Sequence, residues 1–305
     1  MKVLITGKGG QLAWELERLV PKSVQLLSCS AQDLDITDVN QVNHTIEQFQ
    51  PDIVINAAAY TAVDKAETDT ETAYAVNDLG SEYLALACKK IEAKLIHVST
   101  DFVFDGTKTT PYQTDDQVNP INVYGASKLA GDIKVNAILG SQATIIRTAW
   151  VYSVNGNNFV KTMLRLMAEK DQLGIVYDQV GTPTWAKGLA TMIWALASKT
   201  QNPQETESIS TSASTPNTAQ VLHWTDAGVC SWYDFAVAIQ ELAIEKGLLD
   251  KSIPVRPIPA SAYPTPAQRP SFSVIDKQSA EQASGVETTH WRKQLSTMMD
   301  ELKAN

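Results

Sequence analysis

Apolar and polar positions follow two periods along this chain, and the two take turns. Residues 2–6 form a short apolar run that ends at a glycine-rich turn, the pattern of a buried strand. Across 11–20, Leu12, Leu16 and Leu19 recur at helical spacing and predict an amphipathic helix. The exchange then repeats. A strand is predicted at 24–27, a helix over 39–49 ended by Pro51, a strand at 52–56 and a long helix over 72–91. A strand at 94–99, a helix over 122–139 and a strand at 143–147 follow. Strands alternating with helices specify an α/β fold of Rossmann type, a doubly wound parallel sheet with helices on both faces. Right-handed crossovers put every strand's C-terminal end on one rim, where such sheets bind ligands. Positions 6–7, 56–59, 99–100 and 147–150 fall on that rim.

After Trp150 the pattern changes. Helices are predicted over 159–170, 185–198, 232–246 and 289–302, with a proline-punctuated loop at 253–270. Residues 200–219 are rich in Ser, Thr, Asn and Gln without a core period, and read as a mobile surface insertion. There is no internal repeat, and this half is too irregular for a second doubly wound unit. The expected division is a dinucleotide-binding domain over 1–150, with part of the later chain returning to it. Residues 151–305 are then mainly a smaller substrate-binding domain.

Several strings on the rim carry chemistry. Gly7-Lys8-Gly9-Gly10-Gln11-Leu12-Ala13 lies between a strand and a helix, where backbone N–H groups can approach a pyrophosphate; Ala13 still allows close helix–strand packing. Past the second strand stands Ser28-Cys29-Ser30, with neither the acid that selects NAD nor an arginine. NADPH and NADH are both admissible, and Asp35 and Ile36 are expected beside the adenine. The small residues of Asn56-Ala57-Ala58-Ala59 let a cofactor lie against backbone. Ser99-Thr100-Asp101 ends a strand, and Tyr124 precedes Lys128 by four residues, one turn of helix. A hydroxyl, a phenol and an ammonium form a kit for moving a hydride onto a carbonyl, with the lysine expected to draw the phenol's pKa down. Trp150 can wall a sugar or base, and Arg269 can meet a phosphate through its planar fork. The four histidines show neither metal spacing nor a partner nucleophile.

Composition narrows the class. With 25 Lys and Arg against 34 Asp and Glu in 305 residues, the net charge is -9. That balance argues against a general nucleic-acid or anionic-membrane binder. The three cysteines are far apart and read as small core residues in a reducing compartment. The apolar run after Met1-Lys2 is too short for a signal peptide, and no run approaches the roughly 18 residues of a membrane span, so a cytoplasmic protein is expected.

These strings resemble the extended short-chain dehydrogenase/reductase superfamily. More narrowly, the chain resembles the dTDP-4-dehydrorhamnose reductase family over nearly its whole length. The more specific strings are 56–67, through Ala62-Val63-Asp64-Lys65, and Ser231-Trp232-Tyr233-Asp234. The resemblance implies reduction of the C4 keto group of dTDP-4-dehydro-L-rhamnose by NADPH or NADH. It implies a catalytic trio of Thr100, Tyr124 and Lys128. Cofactor contacts would come from Gly7, Gly10, Gln11, Leu12, Asp35, Ile36, Ala59, Tyr60, Thr61, Val98, Tyr124 and Lys128. Thr100, Asp101 and Trp150 would meet the dTDP-sugar, with Arg269 beside them. It further implies a homodimer, and it leaves magnesium open: Glu15 matches by motif, but one carboxylate does not define a site for a hard cation. Two alternatives stay open, another nucleotide-sugar reductase or epimerase on the same scaffold and a non-catalytic subunit of the methionine adenosyltransferase regulatory type.

Overall fold

The computed structural model describes residues 1–199 and 217–304. The first half runs β1 (Lys2–Thr6), α1 (Gln11–Arg18), β2 (Gln25–Cys29), α2 (Val39–Phe49), β3 (Ile53–Asn56), α3 (Val63–Ala66) and α4 (Thr70–Tyr74). A π-helical segment (Ala75–Leu79) leads into α5 (Gly80–Lys90), β4 (Lys94–Thr100), α6 (Val123–Leu139) and β5 (Ala143–Thr148). The second half runs β6 (Val151–Tyr152), α7 (Phe159–Glu169), β7 (Leu173–Val176), β8 (Val180–Gly181), β9 (Thr184–Trp185) and α8 (Ala186–Lys199). Then come β10 (Gln220–Trp224), β11 (Cys230–Ser231), α9 (Trp232–Glu245), β12 (Val255–Ile258), α10 (Gln278–Ser284) and α11 (Trp291–Ala304).

Six of these strands make one parallel sheet in the order β2-β1-β3-β4-β5-β10. The direction of winding reverses between β1 and β3, so the crevice of a doubly wound sheet opens at their C-terminal ends. Alternation along each strand feeds two cores. Val3, Ile5, Ile53, Ile55 and Ile96 face α1 and α8. Leu4, Val54, Leu95 and Ile145 face α2, α5 and α6. A third core joins α7, α9 and α11 through Met163, Met167, Phe235, Ile239, Leu295 and Met298.

Local chemistry sets the ends of these helices. Asp38 caps α2 by accepting from the N–H groups of Asn40 and Gln41. Ser231 and Asp234 form a reciprocal capping box at α9. Asn122 caps α6 through the Gly125 N–H at 2.8 Å. The Glu67 carboxylate takes the adjacent Val123 N–H at 2.9 Å.

Besides the short strands β6 to β9 and β11 of the second half, none of them expected, the structure departs from the expectations at four places. β10 was not foreseen: it follows the polar stretch and mixes Gln220 and His223 with its apolar residues. The helix expected over 72–91 begins at Thr70 and passes through the π-helical segment. The loop expected at 253–270 contains β12, which pairs with β7 in a two-stranded ribbon that tolerates Pro257, an imino acid without an N–H. Helix α10 lies where none was expected. Most of the insertion expected at 200–219 lies outside the described residues.

One contact fixes α6 on β4. A Cβ placed on Gly125 would come within 2.2 Å of the Phe102 carbonyl oxygen. Neither partner is a flexible side chain, so Gly125→Ala is expected to cost about 1–3 kcal/mol. The urea midpoint should fall with the slope unchanged. An unchanged midpoint would mean that this crossing is looser than the geometry shows.

Candidate active site

A cleft of about 930 Å³ opens at the C-terminal rim of the sheet. All sixteen residues assigned from the sequence to catalysis, cofactor or substrate line it. A second cavity, of about 330 Å³, lies at the opposite end of β3 and β4 and contains none of them.

The β1 turn forms one wall. Gly7 adopts φ +82°, and a Cβ there would sit 2.8 Å from the Ala57 and Ala58 backbone. No side chain caps α1 at Gly10, so the first N–H groups of that helix face the cleft without a side-chain acceptor. This cradle fits a dinucleotide pyrophosphate. At the end of β2, Asp33 is turned back onto the N–H and hydroxyl of Ser30, at 2.9 and 2.7 Å. Asp35 is likewise engaged by Thr37, at 2.9 and 2.7 Å. One oxygen of each carboxylate is thus taken up by a local turn.

The alanine run is held by a residue the sequence reading passed over. Asn77, in the π-helical segment, accepts from the Tyr60 N–H at 2.9 Å. Its amide also donates to the Tyr60 carbonyl at 3.1 Å and to Ser127 Oγ at 3.0 Å. One buried amide thus ties Ala59-Tyr60-Thr61 to α6. A π-bulge is a recurrent feature of functional sites, and this one aims Asn77 inward.

Thr100, Tyr124 and Lys128 meet at the centre. The Thr100 hydroxyl donates to Asp101 Oδ1 at 3.0 Å and accepts from the Phe102 N–H. It also faces the Tyr124 hydroxyl and lowers its pKa. Lys128 is buried and donates to the Val98 carbonyl at 2.7 Å. Tyr124 keeps part of its ring exposed to the cleft. Burial pushes the phenol up to about 12, against the Thr100 hydroxyl and with help from Asp101 and Asp132. This corrects the expectation that the lysine draws the phenol down: the resting tyrosine is firmly protonated. Burial lowers Lys128 to about 8, with Asp132 opposing the fall.

The far wall is aromatic. Trp150 stacks on Trp232 with ring centroids 3.5 Å apart and planes 9° from parallel. Trp150 has φ +47°, a left-handed backbone that costs a tryptophan energy and is retained where packing imposes it. Trp232 lies in a string singled out from the sequence, but no role was assigned to it. Arg269 reaches Asp64 with both ends of its fork, at 3.0 and 2.8 Å. Asp64 is therefore part of a fixed ion pair and more than a solvated turn.

Glu15, matched by motif to a magnesium site between subunits, is engaged within its own chain. It is buried, accepts from Ser153 at 2.9 Å and lies 3.4 Å from Arg18. Arg18 also pairs with Glu301, which pairs with Lys187. Among the described residues of this single chain, no group of three or more ligating side chains could hold a metal.

A doubly wound sheet with a glycine cradle, a strand-end threonine and a tyrosine–lysine pair on one helical face defines an extended short-chain dehydrogenase/reductase. The comparisons narrow the class. The family model described as RmlD substrate binding domain matches residues 1–304. The dTDP-4-dehydrorhamnose reductase of Aggregatibacter actinomycetemcomitans is 38% identical over 296 residues, 96% of this chain and 97% of the relative. A crystal structure of the Clostridium acetobutylicum dTDP-4-dehydrorhamnose reductase superposes with TM-score 0.88 at 39% identity, covering 99% of this chain and 100% of that one. That of the Bacillus anthracis reductase, solved in complex with NADP, gives 0.86 at 32%, covering 98% and 99%. The chain belongs to the RmlD family, whose relatives here are dTDP-4-dehydrorhamnose reductases.

Asp101 gives the site a measurable signature. It is 2% exposed, and burial raises its carboxyl to about 6 against hydrogen bonds from Ser273 and Thr100. The folded state therefore holds this proton more tightly than the unfolded chain. Its contribution to stability is greatest at low pH and is lost as pH rises from about 4 to about 6. Between pH 4 and 7 the wild type should lose on the order of 2–3 kcal/mol relative to Asp101→Asn in urea melts. Parallel stability curves would contradict a raised Asp101.

Proposed function

We propose that this protein uses NADPH or NADH to reduce the C4 keto group of dTDP-4-dehydro-L-rhamnose, giving dTDP-L-rhamnose. The observation that carries this reading is the convergence of Thr100, Tyr124 and Lys128 beside the glycine cradle in one cleft. Full-length similarity to dTDP-4-dehydrorhamnose reductases supports the substrate class. The solved complex of a relative with NADP supports the cofactor.

The reduced nicotinamide supplies a hydride when bound; the chain's residues do the rest. The α1 N-terminus and the turn from Gly7 to Leu12 hold the pyrophosphate. Asp35 and Ile36 border the adenine. Ala59, Tyr60, Thr61 and Val98 form the bed on which the cofactor lies. Tyr124, kept protonated by burial, gives its proton to the C4 oxygen as charge develops there, a contribution of about 10²–10⁴-fold. Thr100 donates a hydrogen bond to the same oxygen. Lys128 orients the nicotinamide ribose and stabilises the phenolate left by proton transfer. This role replaces the resting-state one expected from the sequence.

Trp150, backed by Trp232, walls the nucleotide-sugar, and Asp101 shapes its sugar end. Arg269 is paired with Asp64, so it offers a diphosphate hydrogen bonds more than net charge. In this reading residues 151–305 mainly serve the substrate. The setting is a cytoplasmic homodimer. In keeping with it, no helix among the described residues is long and apolar enough to cross a membrane.

Tyr124→Phe tests the assignment. It keeps the ring against Phe102, with which Tyr124 packs edge-on at 5.6 Å. Turnover should fall by about a hundredfold or more with cofactor affinity nearly unchanged. Turnover close to wild type would remove Tyr124 as the acid.

A further inference from the structure

Below the cleft floor, the apolar face of the sheet turns polar. On the side covered by α5 and α6, the apolar positions Leu4, Val54, Leu95 and Ile145 are each followed two residues later by a polar one. These are Thr6, Asn56, His97 and Arg147. Strand register sets them side by side: Thr6 opposite Asn56, Asn56 opposite His97, and Ser99 and His223 both opposite Arg147. All are buried.

The hydrogen bonds across this belt run in one direction. The Thr6 hydroxyl donates to Asn56 Oδ1 at 2.7 Å, which also takes the Ala58 N–H. That leaves the Asn56 amide to donate to His97 Nδ1 at 3.1 Å. A neutral His97 must then carry its proton on Nε2, which points at Asp132 Oδ1 at 3.4 Å. Ser99 donates to the other oxygen of Asp132 at 2.8 Å, and Arg147 Nε lies 3.7 Å from that oxygen. The belt ends where Arg147 approaches His223 Nε2 at 3.5 Å.

Asp132 follows Lys128 by four residues on α6, so the two share one helical face. The helix bonds two successive residues of β4, Lys128 through the Val98 carbonyl and Asp132 through the Ser99 hydroxyl, while His97 Nε2 lies 3.4 Å from the other Asp132 oxygen without a hydrogen bond. Resting on the reductase reading above, we propose that Asp132 is a positioning residue: held by Ser99 one turn from Lys128, with His97 and Arg147 beside it, its carboxylate keeps that lysine an ammonium in a site with too little water to do so.

The charged and titratable groups around Asp132 are few. Lys128 shares its helix, His97 comes from β4 and Arg147 from β5. His223 on β10 lies behind Arg147, with Asp116 beyond it. Tyr124 and Asp101 stand on the cleft side. Burial works against the Asp132 charge, but His97, Arg147 and Lys128 outweigh it and hold its carboxyl below the usual range. Burial and Lys128 lower His97, so it stands beside Asp132 as a neutral ring. Arg147 is not among the groups that shift Lys128, whereas Asp132 is.

The test reads Lys128 directly. Full-length protein labelled with ¹⁵N-lysine is titrated by NMR, with the Lys128 signal assigned by its loss in Lys128→Met. The wild-type midpoint should lie near 8. In Asp132→Asn it should fall by about one unit or more, while Asp132→Glu restores it. The basic limb of kcat/KM should move down by the same amount, so that the deficit at pH 8 largely disappears near pH 6. An isolated Arg147 could unfold the single variant. In that case the double variant Asp132→Asn/Arg147→Met removes both charges and should show the same fall. An unchanged Lys128 midpoint in a folded variant overturns the proposal. If wild-type protein fails to turn over a keto sugar, the reductase reading fails, and the NMR midpoint still judges Asp132.

Discussion

The clasp between α6 and β4 is the constraint on which the site depends. Gly125 lets the helix lie against the Phe102 carbonyl, and Lys128 and Asp132 then take hold of Val98 and Ser99 on the strand. Because the phenol and the ammonium ride on one rigid turn, their separation is set by helix geometry and not by a loop. The clasp also decides their protonation. Packing that excludes water keeps the phenol protonated and would discharge the lysine, were no carboxylate placed beside it.

A buried polar belt is costly unless its members satisfy one another. Here register meets the requirement in part: parallel strands bring Thr6, Asn56, His97, Ser99, Arg147 and His223 onto one face of the sheet, where Thr6, Asn56 and Ser99 are hydrogen-bonded, while His97 Nε2, Asp132 Oδ1 and Arg147 Nε have charged or polar neighbours but no hydrogen bond. The belt separates the apolar core from the cleft and links its two ends. One end lies beneath the glycine turn and the alanine run, the other beneath the catalytic helix.

Much of this was legible in the chain. Alternating periods gave the parallel sheet, and the glycine turn, Thr100 and the Tyr124–Lys128 spacing pointed to one rim. Spacing of four residues is a local property, so a pair on one helix can be read without a fold. What stayed hidden is non-local. Asp64 and Arg269 are 205 residues apart, and Asp132 has meaning only once β4 and β5 are in register. Asn77 is aimed by a π-bulge that helical periodicity does not announce. β10 escaped notice because His223 and Gln220 interrupt its apolar run. The sign of the Tyr124 shift was missed for a related reason: burial at 124 depends on what packs around it, and the lysine next to it was the only neighbour the sequence could show.

The central claim is that this cleft consumes reduced nicotinamide to reduce a keto sugar. An epimerase on the same scaffold would recycle its cofactor, and a binding subunit would leave it untouched. The direct measurement is the loss of reduced-nicotinamide absorbance when purified protein is mixed with NADPH or NADH and a limiting amount of dTDP-4-dehydro-L-rhamnose. One mole of cofactor oxidised for each mole of sugar reduced is the result this structure calls for. Sugar converted with no net cofactor oxidation, or no conversion of any keto-sugar nucleotide, would contradict it.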